Sequence, residues 1–268
     1  MRSMKSLVTI GFVIIAVAAI SSAGVILTDD FSDGNRTGWY KYGNTTLTTT
    51  SNLYMALTTS ATVARGAELN FGARTLSVGD KLSVSFDMMQ NTVSNSADRV
   101  RIGLYDSNGT ALTADTANAA TATAYLGRVG YYAALDTRTN STGYVNIRNT
   151  TSTQTQVSTI TGQSQVSLNN VNIFDANWDS VLWSIERTGA AEYTLAISVN
   201  GGAEKSWVHS SGGEMTDTFD TFVLYQSTGI ASFTLDNVQV SVIPEPAIIG
   251  MMGLGGVTLL LFRRRFLR

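Results

Sequence analysis

The chain has 268 residues, two prolines, one histidine and no cysteine, with 18 basic and 20 acidic side chains for a formal net charge of −2. The lack of cysteine excludes disulfides, thiol nucleophiles, cysteine metal sites and lipid attachment at a cysteine; a body of roughly 220 residues buries enough apolar surface to fold without cross-links. Setting aside Arg2, Lys5, the four arginines of the last six residues and Glu245 leaves 12 basic against 19 acidic residues over 24–242, a net charge of −7, which argues against nucleic-acid binding because phosphate is met by clustered Lys and Arg.

Met1 to Ala23 opens with Arg2 and Lys5, continues through an apolar stretch from Leu7 to Ile20, and leaves through Ser21-Ser22-Ala23. That order predicts a secretory signal peptide over 1–23, cut after Ala23 by signal peptidase. An uncleaved signal anchor is the alternative. The small residues at Ser21 and Ala23, which a peptidase needs there, argue against it.

The body, 24–242, begins with "LTDDFSDGNRTGWYKYG", an acidic and aromatic segment that passes through Gly34 to Trp39. Alternation then dominates. "KLSVSFDMM" puts Leu82, Val84, Phe86 and Met88 on one face, and "VRIGLYD" does the same with Val100, Ile102 and Leu104, so both are expected as half-buried strands. Thr110 to Ala124 and Thr137 to Gly143 are small, polar and unpatterned, and are expected as surface loops. "EYTLAISVNGG" alternates Tyr193, Leu195, Ile197 and Val199 before Asn200-Gly201-Gly202, a hairpin signal leading into "AEKSWVH". In "FTLDNVQVSV" the pattern slips: Phe233 and Leu235 share one parity, Val238, Val240 and Val242 the other. A β-bulge is expected at Asp236-Asn237. Many short strands with Gly, Asn and Ser turns, and no dividing linker, predict a single all-β sandwich.

The first segment and "FTLDNVQVSV" together resemble jelly-roll modules of the laminin-G/concanavalin-like and carbohydrate-binding type. The resemblance implies a jelly-roll β-sandwich whose first and last strands lie together and share a structural calcium. Asp29, Asp30, Asp33 and Asp236 offer hard oxygen ligands for that ion, Asp30 and Asp236 foremost. The rival reading is a turn-forming Asp-Gly after Phe31 and a bulge that only bends the last strand. Trp39, Tyr40, Tyr42, Tyr131 and Tyr132 are dense enough to form a sugar platform, with Trp39 and Tyr42 as ligand-binding candidates, although core packing explains most of them more simply. Trp39 and Tyr40 are adjacent, so a strand sends them to opposite faces.

Catalytic constellations are harder to find. His209 follows Trp207-Val208 on an expected strand, where a structural role outweighs general base chemistry. Asp179 and Glu186 are an odd number of residues apart and fall on opposite faces of a regular strand, whereas a retaining glycosidase needs two carboxylates about 5 Å apart on one face. No Gly-x-Ser-x-Gly elbow or Gly-rich phosphate loop occurs in the sequence. The body is expected not to be an enzyme.

Both prolines of the chain stand in Pro244-Glu245-Pro246. An uncharged apolar run follows over about 247–262, then Arg263, Arg264, Arg265 and Arg268. At about 1.5 Å per residue the run is short for a hydrocarbon core of about 30 Å, so a helix there spans only if the arginine stems snorkel, and the basic block marks the cytoplasmic side. A core helix would instead have to bury or cap that arginine block. The tripeptide, the short helix and the terminal arginines, over 243–268, resemble the PEP-CTERM sorting signal of exported Gram-negative proteins. The resemblance implies recognition of Pro244-Glu245-Pro246 by exosortase, a membrane protease-transpeptidase, with a transient inner-membrane anchor before release to the envelope or extracellular matrix. Proline fixes φ, lacks an N–H and keeps its predecessor out of the helical region, so the tripeptide stays extended. The sequence thus predicts a jelly-roll sandwich flanked by a signal peptide and a transmembrane helix, with a structural or adhesive role in the envelope or matrix; the alternative is a carbohydrate-binding module that attaches to exopolysaccharide.

Overall fold

The computed structural model describes residues 23–43, 45–57, 65–90, 99–116, 128–136, 145–150, 165–166, 177–210, 215–226 and 232–245. Outside them lie residues 1–22 of the expected signal peptide, Pro246, the apolar run at 247–262, Arg263, Arg264 and Arg265, all of the expected loop 137–143 and the later part of that expected over 110–124. Among the described residues every regular element is a strand. They are β1 (Gly24–Asp29), β2 (Trp39–Tyr42), β3 (Thr45–Thr49), β4 (Leu53–Leu57), β5 (Arg65–Thr75), β6 (Lys81–Gln90), β7 (Arg99–Asp106), β8 (Val129–Asp136), β9 (Val145–Thr150), β10 (Gln165–Val166), β11 (Trp178–Gly189), β12 (Glu192–Val199), β13 (Lys205–His209), β14 (Thr218–Gln226) and β15 (Ser232–Ile243).

The strands form two antiparallel sheets. One runs β13-β12-β11-β6-β15-β4-β3, with β1 also on β15; the other runs β10-β9-β8-β7-β14-β5-β2. The expected hairpin is present between β12 and β13. Asn200 (φ 52°) and Gly201 (φ 65°) are both left-handed, and Gly202 N–H donates to Val199 O at 2.9 Å, the primed turn whose twist suits a hairpin. First and last strands lie side by side, Gly24 opposite Val242 and Asp29 opposite Val238.

Alternation fills the space between the sheets. Leu82, Val84, Phe86 and Met88 of β6 meet Val100, Ile102 and Leu104 of β7 within one apolar core. Aromatic rings tie the layers: Phe222 of β14 lies 5.6 Å from Phe86 and 6.2 Å, edge to face, from Trp39. Burying a side chain of this size contributes about 1.5–3 kcal/mol.

The second sheet departs from the half-buried expectation. Around Gly103 and Tyr105 of β7, and likewise on β8 and β14, the face turned away from the core is buried too, by a cluster of Tyr42, Tyr105, Tyr132, Ala134, Val223 and Tyr225. Bare glycines let the rings lie flat on the sheet: a Cβ at Gly103 or Gly130 would collide with Tyr105, and one at Gly66 with Tyr42. The Arg101 guanidinium stands 5.0 Å from the Tyr225 ring centre and 5.8 Å from that of Tyr132.

Residues 107–116 are strapped to this same sheet. At one end Ser107 donates its N–H and hydroxyl to Asp220, at 2.8 and 2.5 Å. At the other, Thr116 bridges Tyr42, and Asp115 takes a two-pronged ion pair from Arg36 at 2.9 and 2.7 Å, which holds its carboxyl below the usual range. In the middle, Glu68 accepts from Leu112 N–H at 2.7 Å and pairs with Arg128 at 2.6 Å, while Asn70 donates to Leu112 O at 2.6 Å. Glu68 and Arg128 are 0% and 1% exposed. An ion pair that deep is costly to break from one side. Glu68→Ala is therefore expected to lower unfolding free energy by about 3–5 kcal/mol. The apolar double variant Glu68→Leu with Arg128→Met recovers part of that loss in urea titrations, and equal stability of Glu68→Ala and wild type would contradict this description.

Candidate functional site

β15 follows β6 for its whole length but not in one register. Asp236 stands opposite Asp87, and Gln239 opposite Ser85, so three steps on β15 match two on β6. The extra residue is the expected bulge. It keeps Phe233, Leu235, Val238 and Val240 all on the core despite their change of parity. Asn237 takes a left-handed φ of 52°, which Asn tolerates better than most residues, and its Nδ2 donates to Asp87 Oδ2 at 2.8 Å. Asp87 Oδ1 accepts from the Ser180 hydroxyl at 2.5 Å.

The bulge is also where β15 changes partner, from β4 at Ser232–Leu235 to β1 at Val238–Val242. Two open, shallow depressions meet at Asn237 on the outer face of this sheet. One is lined by Thr28, Asp29, Asp30 and Gln239, the other by Ser85, Asp87, Ser180, Leu182, Ser198 and Gly201. Alternation turns Ser83 and Ser85 of β6 and Ser180 of β11 away from the core; Ser180 is exposed, while Ser83 is buried and its hydroxyl touches that of Ser241 at 2.9 Å. The result is an open surface of mixed character, in which Leu182 lies beside Asp87, Asn237 and Ser180, whose carboxylate, amide and hydroxyl groups position one another.

Asp30 and Asp236 come to the same seam, at the end of β1 and at the bulge. Asp30 Oδ1 accepts the Ser32 hydroxyl at 2.7 Å and its N–H at 3.1 Å, which hold this exposed carboxyl below its usual value. Asp236 Oδ1 accepts Asn237 N–H at 2.8 Å, and the Asn52 amide, with its nitrogen turned inward, reaches Oδ2 at 3.1 Å. Among the described residues no group of three or more His, Asp or Glu is placed to hold a metal, whereas calcium takes six to eight oxygens. The calcium expectation for Asp30 and Asp236 gains no cage among these residues.

Trp39 and Tyr42 are not a sugar platform. Trp39 is 1% exposed and donates Nε1 to Asp29 Oδ2 at 3.0 Å; Tyr42 is fully buried and donates its hydroxyl to Leu224 O at 3.2 Å. The cause is layering: Trp39 packs between the sheets against Phe31, and Tyr42 belongs to the cluster beyond the second sheet. Tyr131 and Tyr132 are buried as well. Asp29 itself is pushed up by burial, opposed by the bonds from Phe31 N–H and Trp39.

His209 is buried, bonded through Nδ1 to the Tyr131 hydroxyl at 3.1 Å and stacked on Trp207 at 5.1 Å. Asp179 and Glu186 fall on opposite faces of β11, Asp179 toward the core, where it accepts from Asn200 Nδ2 at 2.7 Å, and Glu186 opposite Lys81. Asp87 and Ser180 were not singled out by sequence. The signal available for them was the second half of the alternation, Ser83-x-Ser85-x-Asp87 between the apolar positions of β6.

No protein-family profile and no curated protein matches this sequence. Solved structures do match in fold. A protein of unknown function with a galectin-like fold from Bacillus subtilis superposes with a TM-score of 0.55 at 11% identity, covering 83% of this chain and 99% of that one. The basic winged bean lectin, crystallised with Tn-antigen, gives 0.50 at 7% identity, covering 82% and 98%. The fold is similar to that of lectin-like jelly rolls. Identities this low establish architecture alone.

Because Asn237 is left-handed, Asn237→Gly is expected to keep the fold, while Asn237→Val loses about 1–2 kcal/mol from strain of a branched side chain, before counting its bond to Asp87. Urea midpoints decide it, and a Val variant as stable as the Gly variant would contradict the bulge.

Proposed function

We propose that this chain is an exported bacterial envelope or matrix protein, sorted through its C-terminal tail, whose body is a non-catalytic jelly roll that adheres to polysaccharide. The observation that carries the binding half is the open surface around Asn237, where Leu182 lies beside polar groups. Its Asp87, Ser180 and Asn237 groups are already fixed by mutual bonds, so a glycan hydroxyl meets partners that need little ordering. The lectin-like fold supports this reading. The body's charge of −7 favours neutral over acidic polymers. The sorting half rests on Pro244-Glu245-Pro246 with its apolar run and arginines. Pro244 and Glu245 are exposed directly after β15.

A glycan array probed with the body tests the first half. Binding to neutral polysaccharides is expected, weakened tenfold or more by Asp87→Ala, the effect of losing about 1.4 kcal/mol or more; no binding to any glycan would overturn it. Mass spectrometry of the exported protein tests the second half. Replacing residues 244–246 by alanines leaves export intact and blocks shortening of the tail, so an unchanged mature mass would contradict the assignment.

A further inference from the structure

Pro244 and Glu245 do not hang clear of the folded body. β15 ends at Ile243, paired with Lys81, and Pro244 and Glu245 follow with no spacer. Glu245 lies against the turn that joins β5 to β6. Its N–H donates to Asp80 Oδ1 at 3.1 Å. Its side chain crosses Gly79 so closely that a Cβ there would stand 2.5 Å from Glu245 Cγ and 2.6 Å from its Cβ and Cδ. Gly79 also has a φ of 93°, so two separate constraints ask for glycine at this position.

The turn is held rigidly. Asp80 Oδ2 accepts Ser77 N–H at 2.8 Å, Gly79 N–H donates to Arg187 O at 2.6 Å, and Arg187 N–H donates back to Asp80 O at 3.0 Å. Arg187 Nη1 reaches Leu76 O at 2.6 Å and Asp217 Oδ2 at 3.0 Å. Asp80 thus uses one carboxylate oxygen to fix its own turn and the other to hold the chain as it leaves the sheet.

The geometry points to a clasp: the β5–β6 turn keeps the middle residue of the sorting tripeptide on the body, and processing proceeds from the state in which Glu245 has been lifted off Asp80 and Gly79. This rests on the sorting reading proposed above. Processing breaks a backbone amide of the tail by passing its acyl group to an enzyme nucleophile and then to water or an acceptor amine, with release of the downstream amine. The enzyme must seat an extended chain on both sides of the cut. Here Ile243 is still in the sheet, and the Glu245 N–H that an enzyme backbone would pair is already engaged. The rate therefore follows the population of the locally opened end of β15.

Pulse-chase labelling of the full chain in its host cell, reading conversion of precursor to mature form, tests the clasp. Asp80→Asn keeps one carbonyl oxygen for Ser77 and turns an amide that cannot accept toward Glu245. A second variant inserts Gly-Ser-Gly-Ser between Ile243 and Pro244. Both are expected to convert at least threefold faster than wild type, with the melting temperature of Asp80→Asn unchanged. Wild-type or slower conversion in both overturns the clasp; if Asp80→Asn melts lower or the two variants disagree, the spacer variant decides. The chain with alanines at 244–246 separates the two claims. If it is processed at the wild-type rate the sorting reading fails, and if it is blocked while both clasp variants run at the wild-type rate, only the clasp fails.

Discussion

One extra residue in β15 organises most of this molecule. A strand of twelve residues has to pair with β6 throughout, with β4 along its first half and with β1 along its second, and still keep its apolar side chains inward. A regular strand would bring Phe233 and Leu235 inward and leave Val238 and Val240 facing solvent. The left-handed turn of the backbone at Asn237 resolves the conflict. The same distortion opens the seam between β1 and β4, brings Asp30 and Asp236 to it, and turns the Asn237 amide onto Asp87.

The two outer faces then follow different rules. Beyond the second sheet, glycines at 66, 103 and 130 leave room for Tyr42 and Tyr105 to lie flat, and a buried ion pair straps the segment 107–116 in place. That face is closed by its own chain. The outer face of the first sheet next to the bulge carries Ser85, Asp87, Ser180 and Asn237 beside Leu182 in an open depression.

Much of the fold could be read from the residues. Alternation located β6, β7, β12 and β15, Asn200-Gly201 fixed the hairpin, and the phase slip at Asp236-Asn237 revealed the bulge, because each depends on local backbone geometry. Burial of the second sheet on both sides could not be read, since it arises from contacts such as Glu68 with Leu112 and Arg128, 44 and 60 residues apart. Tyr42 is covered for the same reason, whereas Trp39 takes the core packing that the sequence also allowed, against Phe31 between the sheets. An aromatic residue on a strand reads alike whether its outer face meets water or a distant loop. Asp87 and Ser180 went unnoticed because a short polar residue at a solvent-side position has no sequence signature until its neighbour across the sheet is known.

Amide hydrogen exchange along β15 addresses the central claim, that this slipped strand is the fixed element joining core, open surface and tail. The account predicts slowest-class protection on both sides of the bulge, from Phe233 to Val242, and weaker but measurable protection at Glu245. Exchange in the Val238–Val242 half as fast as that of loop amides would contradict it.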